Sequence, residues 1–389
     1  MSMDAPRASA VPRRMSQPPR SGPPVTRELL LSIPKTDLHC HLDGSLRMAT
    51  ILELAKTQGV DLPGKSQEDV ARALHVGQIC NSLEEYLQAF AVTLSVLQTD
   101  DALERCAFEL AEDCHKENVR YLEVRFAPNL HTDAGLRMTS IIEAVLSGLR
   151  RAERQYGVRS GVIVCALRHE DPAQTFRMAE LAVAYKNKGV VGFDLAGGEE
   201  GNPAKDHASS FALVLNNNLN CTVHAGEAYG PESIQQAIHY CGAHRIGHGT
   251  RLVENGDLLN YINDHRTPLE ICISSNVQTN SVKSFKEHPL RFFFDYGVRC
   301  TINTDNRLIT NTTVTDELWL AHQHCGFDLD DLKVLVVQGF KSAFLPFREK
   351  AELLRQINAE IATVTGTAPR GPGELMSKHA SMPPGPAEG

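Results

Sequence analysis

The stretch KTDLHCHLDGSL, residues 35–46, carries two histidines, His39 and His41, one residue apart between apolar neighbours. Side chains at i and i+2 of a strand leave the same face, so both imidazoles aim one way, the pairing a metal ion needs. A His-x-His pair alone is more often incidental than ligating, so its reading depends on the rest of the chain. The stretch opens a series of eight short apolar runs: TDLHCHL (36–42), RYLEVRFAP (120–128), GVIVCAL (161–167), VVGFDLAG (190–197), CTVHAGE (221–227), HRIGHG (244–249), LEICISSN (269–276) and RCTINTDN (299–306). Longer stretches of helical periodicity separate them. This alternation predicts an α/β protein with a parallel sheet covered on both faces, and eight strands fit a (β/α)8 TIM-type barrel. An open doubly wound sheet uses the same alternation, so the count alone does not choose.

The carboxyl ends of the runs choose better. Run one ends in His39, His41 and Asp43, run four in Asp194 and Gly197, and run five in His224 and Glu227. Run six ends in His248, run seven in Ser275 and Asn276, and run eight in Asp305 and Asn306. Barrel active sites gather at that face from several strands. Residues of runs one, five and eight meet at one point only if the first and last strands are neighbours, which a closed barrel provides.

Composition sets the outer limits. The net charge of −8 gives no basic footprint for nucleic acid or an anionic membrane, and no apolar run is long enough to span a bilayer. Residues 1–26, rich in Pro, Arg and Ser, lack the apolar core of a secretory signal and read as a disordered tail, as do residues 366–389. A single domain is expected over 27–365. The ten cysteines form no C-x-x-C, and several lie in strand-like runs as small core residues. A reducing, cytoplasmic compartment is the expectation. Oligomeric state is not legible.

Imidazole and carboxylate are ordinary zinc ligands. His39 and His41 from run one, His224 from run five and Asp305 from run eight supply three nitrogens and an oxygen. Glu227, three residues beyond His224, stands where Ala225 and Gly226 let the chain turn over the barrel mouth, and a carboxyl beside a cation is a plausible proton carrier. His248, between two glycines, suits an exposed strand end better than a packed core.

PKTDLHCHLDGSLR, GFDLAGGE, VHAGE, RIGHGTRL and TINTDN together resemble the adenosine deaminase family of metal-dependent amidohydrolase-type barrels, in its order and roughly its spacing, over about residues 27–365. The resemblance implies one zinc ion per chain on His39, His41, His224 and Asp305. It implies Glu227 as proton donor, His248 and Asp305 as groups that handle the attacking water, and a purine nucleoside contacted by His41, Asp43, Gly197 and Asn306. The implied reaction is hydrolysis of adenosine and 2'-deoxyadenosine to the inosine nucleosides and ammonia, in purine salvage. A modified adenine nucleoside such as aminodeoxyfutalosine is the alternative substrate, and a non-catalytic zinc-binding relative the alternative class, against which the pairing of Glu227 with His248 speaks. Asn306 stands where many members carry aspartate; its amide donates a hydrogen bond, expected at N7 of the purine, at every pH. Otherwise Asn306 only caps its loop, with Arg307 facing solvent.

The interval between runs one and two exceeds what a barrel helix requires, and predicts a helical insertion, a lid over about residues 48–115. In NSLEEYLQAFAVTL (81–94), Ser82 and Glu85 have capping-box spacing, and Leu83, Tyr86, Leu87, Phe90 and Leu94 form one apolar stripe. Most of it reads as ordinary packing, with one or two residues on the ligand. GVDLPGKS (59–66) matches the Walker A pattern but follows helical spacing rather than a strand, so it reads as a helix end and a turn. RHED (168–171) lines the barrel mouth or is solvated.

Overall fold

A computed structural model describes residues 23–64 and 66–368 of the chain. Most of the N-terminal tail and of the C-terminal tail expected from composition therefore lies outside the described residues. Eight strands form one sheet in sequence order: β1 Lys35–His41, β2 Val119–Phe126, β3 Arg159–Leu167, β4 Val190–Ala196, β5 Asn220–Ala225, β6 Arg245–His248, β7 Leu269–Ile271 and β8 Cys300–Ile302. Every adjacent pair is parallel.

The residues just beyond β8 close the ring onto β1. Asp305 bridges Cys40, its N–H donates to the His39 carbonyl (2.8 Å), and its carbonyl accepts from the His41 N–H (2.7 Å). The barrel is the expected (β/α)8 form, and its closing seam is the segment that brings Asp305 to the two histidines.

Two runs fold differently from their reading as strands. LEICISSN pairs only over Leu269–Ile271; a helix, Ile273–Gln278, then takes over and carries Ser275 and Asn276. In RCTINTDN the ladder stops at Ile302, and Asp305 has a left-handed backbone, φ 60°.

Among the described residues, five helices lie between β1 and β2: Met48–Gln58, Gln67–Ala73, Leu83–Leu87, Phe90–Val96 and Asp100–Lys116. The last is a barrel helix, packed on β2 and on the helix Met138–Tyr156. The insertion proper is thus shorter than 48–115. Gly59 ends the first helix in a left-handed cap at φ 69°, so GVDLPGKS is a helix end and turn as expected.

Apolar residues pack between the barrel wall and the surrounding helices, whereas charge crosses the barrel's interior. Arg125 of β2 reaches Asp194 of β4 (2.9 Å) and Glu270 of β7 (2.9 Å), and Arg245 of β6 pairs with both Glu270 and Glu123. All five are at most 1% exposed. All ten cysteines are free and buried.

Candidate active site at the barrel mouth

His39 and His41 leave one face of β1, as strand alternation requires. His224 ends β5 beside them, and Asp305 arrives on the closing seam. His41 Nε2 lies 3.2 Å from His224 Nε2 and 3.3 Å from Asp305 Oδ1, and His39 Nε2 lies 3.4 Å from the same oxygen. Four ligands on bonds of about 2.0 Å sit about 3.3 Å apart around a tetrahedral ion. The spacing matches, and His39 Nε2, fully buried, has no hydrogen-bond partner. These four side chains fit a divalent ion.

The atoms facing away are held in turn. His39 Nδ1 meets Glu270 (2.8 Å), His224 Nδ1 meets Asp194 (3.1 Å), and Ser275 Oγ donates to Asp305 Oδ2 (2.6 Å). A carboxylate on the far nitrogen fixes the proton there and turns the bare Nε2 towards the ion. Burial works against the Glu270 charge, but Arg125 and Arg245 hold its carboxyl well below the usual range. The buried ionic network beneath the mouth is what aims the histidines.

Glu227 lies beyond β5 in a turn organised by another carboxylate. Glu199 accepts four consecutive backbone N–H groups: Gly226 (2.6 Å), Glu227 (3.0 Å), Ala228 (2.7 Å) and Tyr229 (2.9 Å). Burial, then the nearby Asp305 and Glu199 charges, push the Glu227 carboxyl well above its ordinary pKa, which favours its protonated form. Its Oε1 accepts from Thr279 (3.2 Å), and its Oε2 lies 3.5 Å from His248 Nε2.

His248 is 1% exposed and left-handed at φ 61°. Its tautomer follows from a backbone group that only donates. Leu290 N–H points at His288 Nδ1 (3.1 Å), so the His288 proton is on Nε2, which faces Asn276 Oδ1 (3.1 Å). The Asn276 NH2 then faces His248 Nδ1 (3.0 Å), leaving the His248 proton on Nε2, towards Glu227. Burial pushes His288 down to about 3 and His248 well below its ordinary value, so both rings are neutral.

These groups floor a cavity of about 290 Å3. Asp43, Gly197, Asn306 and His169 also line it. Burial raises the Asp43 carboxyl to about 7, and its Oδ1 has no partner. Gly197 sits at φ 92°, and a Cβ there would come within 3.1 Å of His169. Asn306 donates to the Tyr86 hydroxyl (3.0 Å), which also bonds Thr310 (2.7 Å). A Cβ on Gly44 would strike Asn306, so the glycine after Asp43 makes room for it.

A family model described as adenosine deaminase matches residues 34–360. The chain belongs to the adenosine deaminase family. A Mycobacterium sp. (strain JLS) protein named adenosine deaminase is 41% identical over 86% of this chain and 96% of its own length. A probable adenosine deaminase of Dictyostelium discoideum is 40% identical over 85% of this chain, which spans only 43% of that longer protein. Among solved structures, an N6-methyl-AMP deaminase from Arabidopsis thaliana superposes with a TM-score of 0.76 at 27% identity, over 86% of this chain and 98% of that one.

Within this adenosine deaminase fold the site residues expected from sequence gather at the barrel mouth: all but His39 line the cavity, and His39 is fully buried beside them. The apolar stripe departs from ordinary packing: Leu83, Tyr86, Leu87, Phe90 and Leu94 all line the cavity. Ser82 caps the helix by accepting from Glu85 N–H, while the Glu85 carboxylate turns to Asn81, so the capping box is half formed. Arg307 does not extend into solvent; it is half-buried and paired with Asp37 and Glu117. RHED divides: Arg168 is buried and donates to the His224 carbonyl, His169 lines the cavity, and Asp171 caps the next helix.

Sequence reading missed Glu123, Arg125, Glu199, Arg245, Glu270, Thr279 and His288. A signal existed for two of them. Glu123 and Arg125 are charges at i and i+2 inside an apolar strand, a pattern that requires a buried partner.

Proposed function

We propose that the chain hydrolyses adenosine and 2'-deoxyadenosine to inosine and 2'-deoxyinosine, releasing ammonia, with one zinc ion held by His39, His41, His224 and Asp305. The observation that carries this reading is a buried Glu227, its carboxyl pushed towards the protonated form, beside a His3Asp donor set at the floor of an apolar cavity. Zinc, when bound, supplies the Lewis-acid chemistry that makes water a usable nucleophile near neutral pH.

The side chains do the rest. The adenine C6 is a poor electrophile until the neighbouring ring nitrogen is protonated. Glu227, neutral in its pocket, gives that nitrogen its proton as water adds. Asp305 stays a carboxylate despite burial, because the His39, His41 and His248 imidazoles surround it, and it accepts the proton that water gives up. His248, with its hydrogen on Nε2, donates to the oxygen that forms at C6. The C6–N bond then breaks: the proton taken up by Asp305 passes to the departing amine, and the C6 hydroxyl gives its proton back to Glu227, leaving the 6-oxo ring, ammonia and both carboxyls in their starting states. Asp43 holds the ribose, the Gly197 backbone meets the purine edge, and the second N–H of Asn306 reaches N7.

Two features favour a nucleoside over a nucleotide. The cavity is lined mainly by apolar side chains, and among the described residues no Lys or Arg lines it, so a phosphate dianion would find no cationic partner among them. Ten reduced, buried cysteines suit a cytoplasmic enzyme. Ultraviolet spectroscopy on adenosine, 2'-deoxyadenosine, AMP and aminodeoxyfutalosine tests the assignment, because loss of the 6-amino group changes ring absorbance. Conversion of the first two and not of AMP is expected; conversion of AMP or the modified nucleoside alone would replace this substrate.

A further inference from the structure

Away from the barrel mouth, one other cluster among the described residues can grip a metal. The ligand atoms of His75, Cys80 and Glu85 all lie within 4.8 Å of one another. The segment between the helices Gln67–Ala73 and Leu83–Leu87 presents them. His75 at φ 50° and Gly77 at φ 68° turn the chain back. The turn is then tied to the barrel by Gly77 N–H on the Ile309 carbonyl (2.8 Å) and Cys80 N–H on the Gln278 carbonyl (2.8 Å). The His75 ring and Cys80 thiol make no side-chain hydrogen bond among the described residues. Glu85 engages Asn81 through Oε2 alone (2.9 and 2.6 Å), which leaves Oε1. Cys80 is buried and the other two are half-exposed, so an ion can enter from solvent and keep water as a further ligand.

We propose that His75, Cys80 and Glu85 form a second divalent-metal site, of zinc type, that clamps the segment delivering Tyr86 to the cavity. The chemistry selects the ion: a thiolate with an imidazole suits zinc or cobalt and is foreign to magnesium or calcium. As the sulfur–metal bond forms, the thiol proton passes to solvent. The two flanking helices have seven and five residues and cannot hold themselves by propensity alone. Ligation at residues 75 and 85 closes the segment into a ring, and Tyr86, next to Glu85, is held over Asn306.

Cobalt(II) titration of the metal-stripped full chain tests this without reference to turnover, and so independently of the deaminase reading. The barrel-mouth set contains no sulfur, so a sulfur-to-cobalt absorption band reports the second site alone. Wild type is expected to bind two equivalents and show the band. Cys80→Ser should lose the band and one equivalent, and His75→Gln, at a half-exposed position that does not threaten folding, should bind that equivalent at least ~10-fold more weakly. A single equivalent in wild type, or a band that survives Cys80→Ser, would overturn the proposal.

Discussion

At the scale of single residues, the site depends on which groups are kept neutral. Glu227 has the burial and carboxylate neighbours that a proton donor at neutral pH needs. Glu227→Gln keeps the shape and a hydrogen bond but cannot cycle a proton, so turnover should fall at least ~10²-fold while affinity for an unreactive nucleoside barely changes. Near-normal turnover in that variant would remove Glu227 from the mechanism. His288 acts one step further back, through Asn276, on the His248 tautomer. His288→Ala should lower kcat by roughly 10–100-fold with little change in KM. Nitrogen NMR of His248 should find the proton on Nε2 in wild type and spread over both nitrogens in the variant; an unchanged tautomer would reduce His288 to a packing residue. Asn276 was legible as a polar residue at the end of its run, but its link to His288 was not. His288 lies far from any strand end, and the hydrogen-bond chain it starts exists only after three separate segments have folded together.

At the scale of elements, the helical insertion between β1 and β2 is where sequence and structure diverge most. Leu83, Tyr86, Leu87, Phe90 and Leu94 have the periodicity of a helix that buries one face, and they do bury it. The face they cover, however, is a cavity rather than a packed layer, and periodicity does not distinguish the two. The break at Gln88 and Ala89, between two short helices, was also illegible, because neither residue is a helix breaker. The same holds for LEICISSN, whose β-branched and apolar residues read as strand although tertiary contacts turn its second half into helix. Tyr86 joins lid to barrel through Asn306 and Thr310. Tyr86→Phe should forfeit about 1 kcal/mol of closure, seen as a KM for adenosine raised about 5-fold at nearly unchanged kcat. An unchanged KM would mean the lid closes without that contact.

At the scale of the molecule, the barrel was legible because its first and last strands carry residues that must meet. The LDG and TDN segments make this explicit: Gly44 leaves room for Asn306, and Asp305 zips onto β1. The ionic layer beneath was hidden because single charges in apolar runs do not name their partners. The frame around the site also titrates. Glu317 bridges the helix Val314–Cys325 to Ser274 (3.1 Å) and Thr312 (2.7 Å), and burial raises its carboxyl to about 7. A raised folded pKa favours the neutral acid. Its contribution to stability is therefore full below about pH 4.5 and lost as pH rises towards 7, by up to about 3 kcal/mol. Glu317→Gln accepts from Ser274 and donates to Thr312 without a charge, so the variant should melt above wild type at pH 8 and near it at pH 5; equal melting at both would contradict a buried, titrating Glu317. The most direct measurement of the central claim is the absorbance of adenosine incubated with the purified chain, metal-stripped and then given one equivalent of zinc. Stripped protein should leave the spectrum unchanged and the zinc-restored protein should convert it to that of inosine; a fully loaded, folded protein that leaves every adenine nucleoside unchanged would contradict the account.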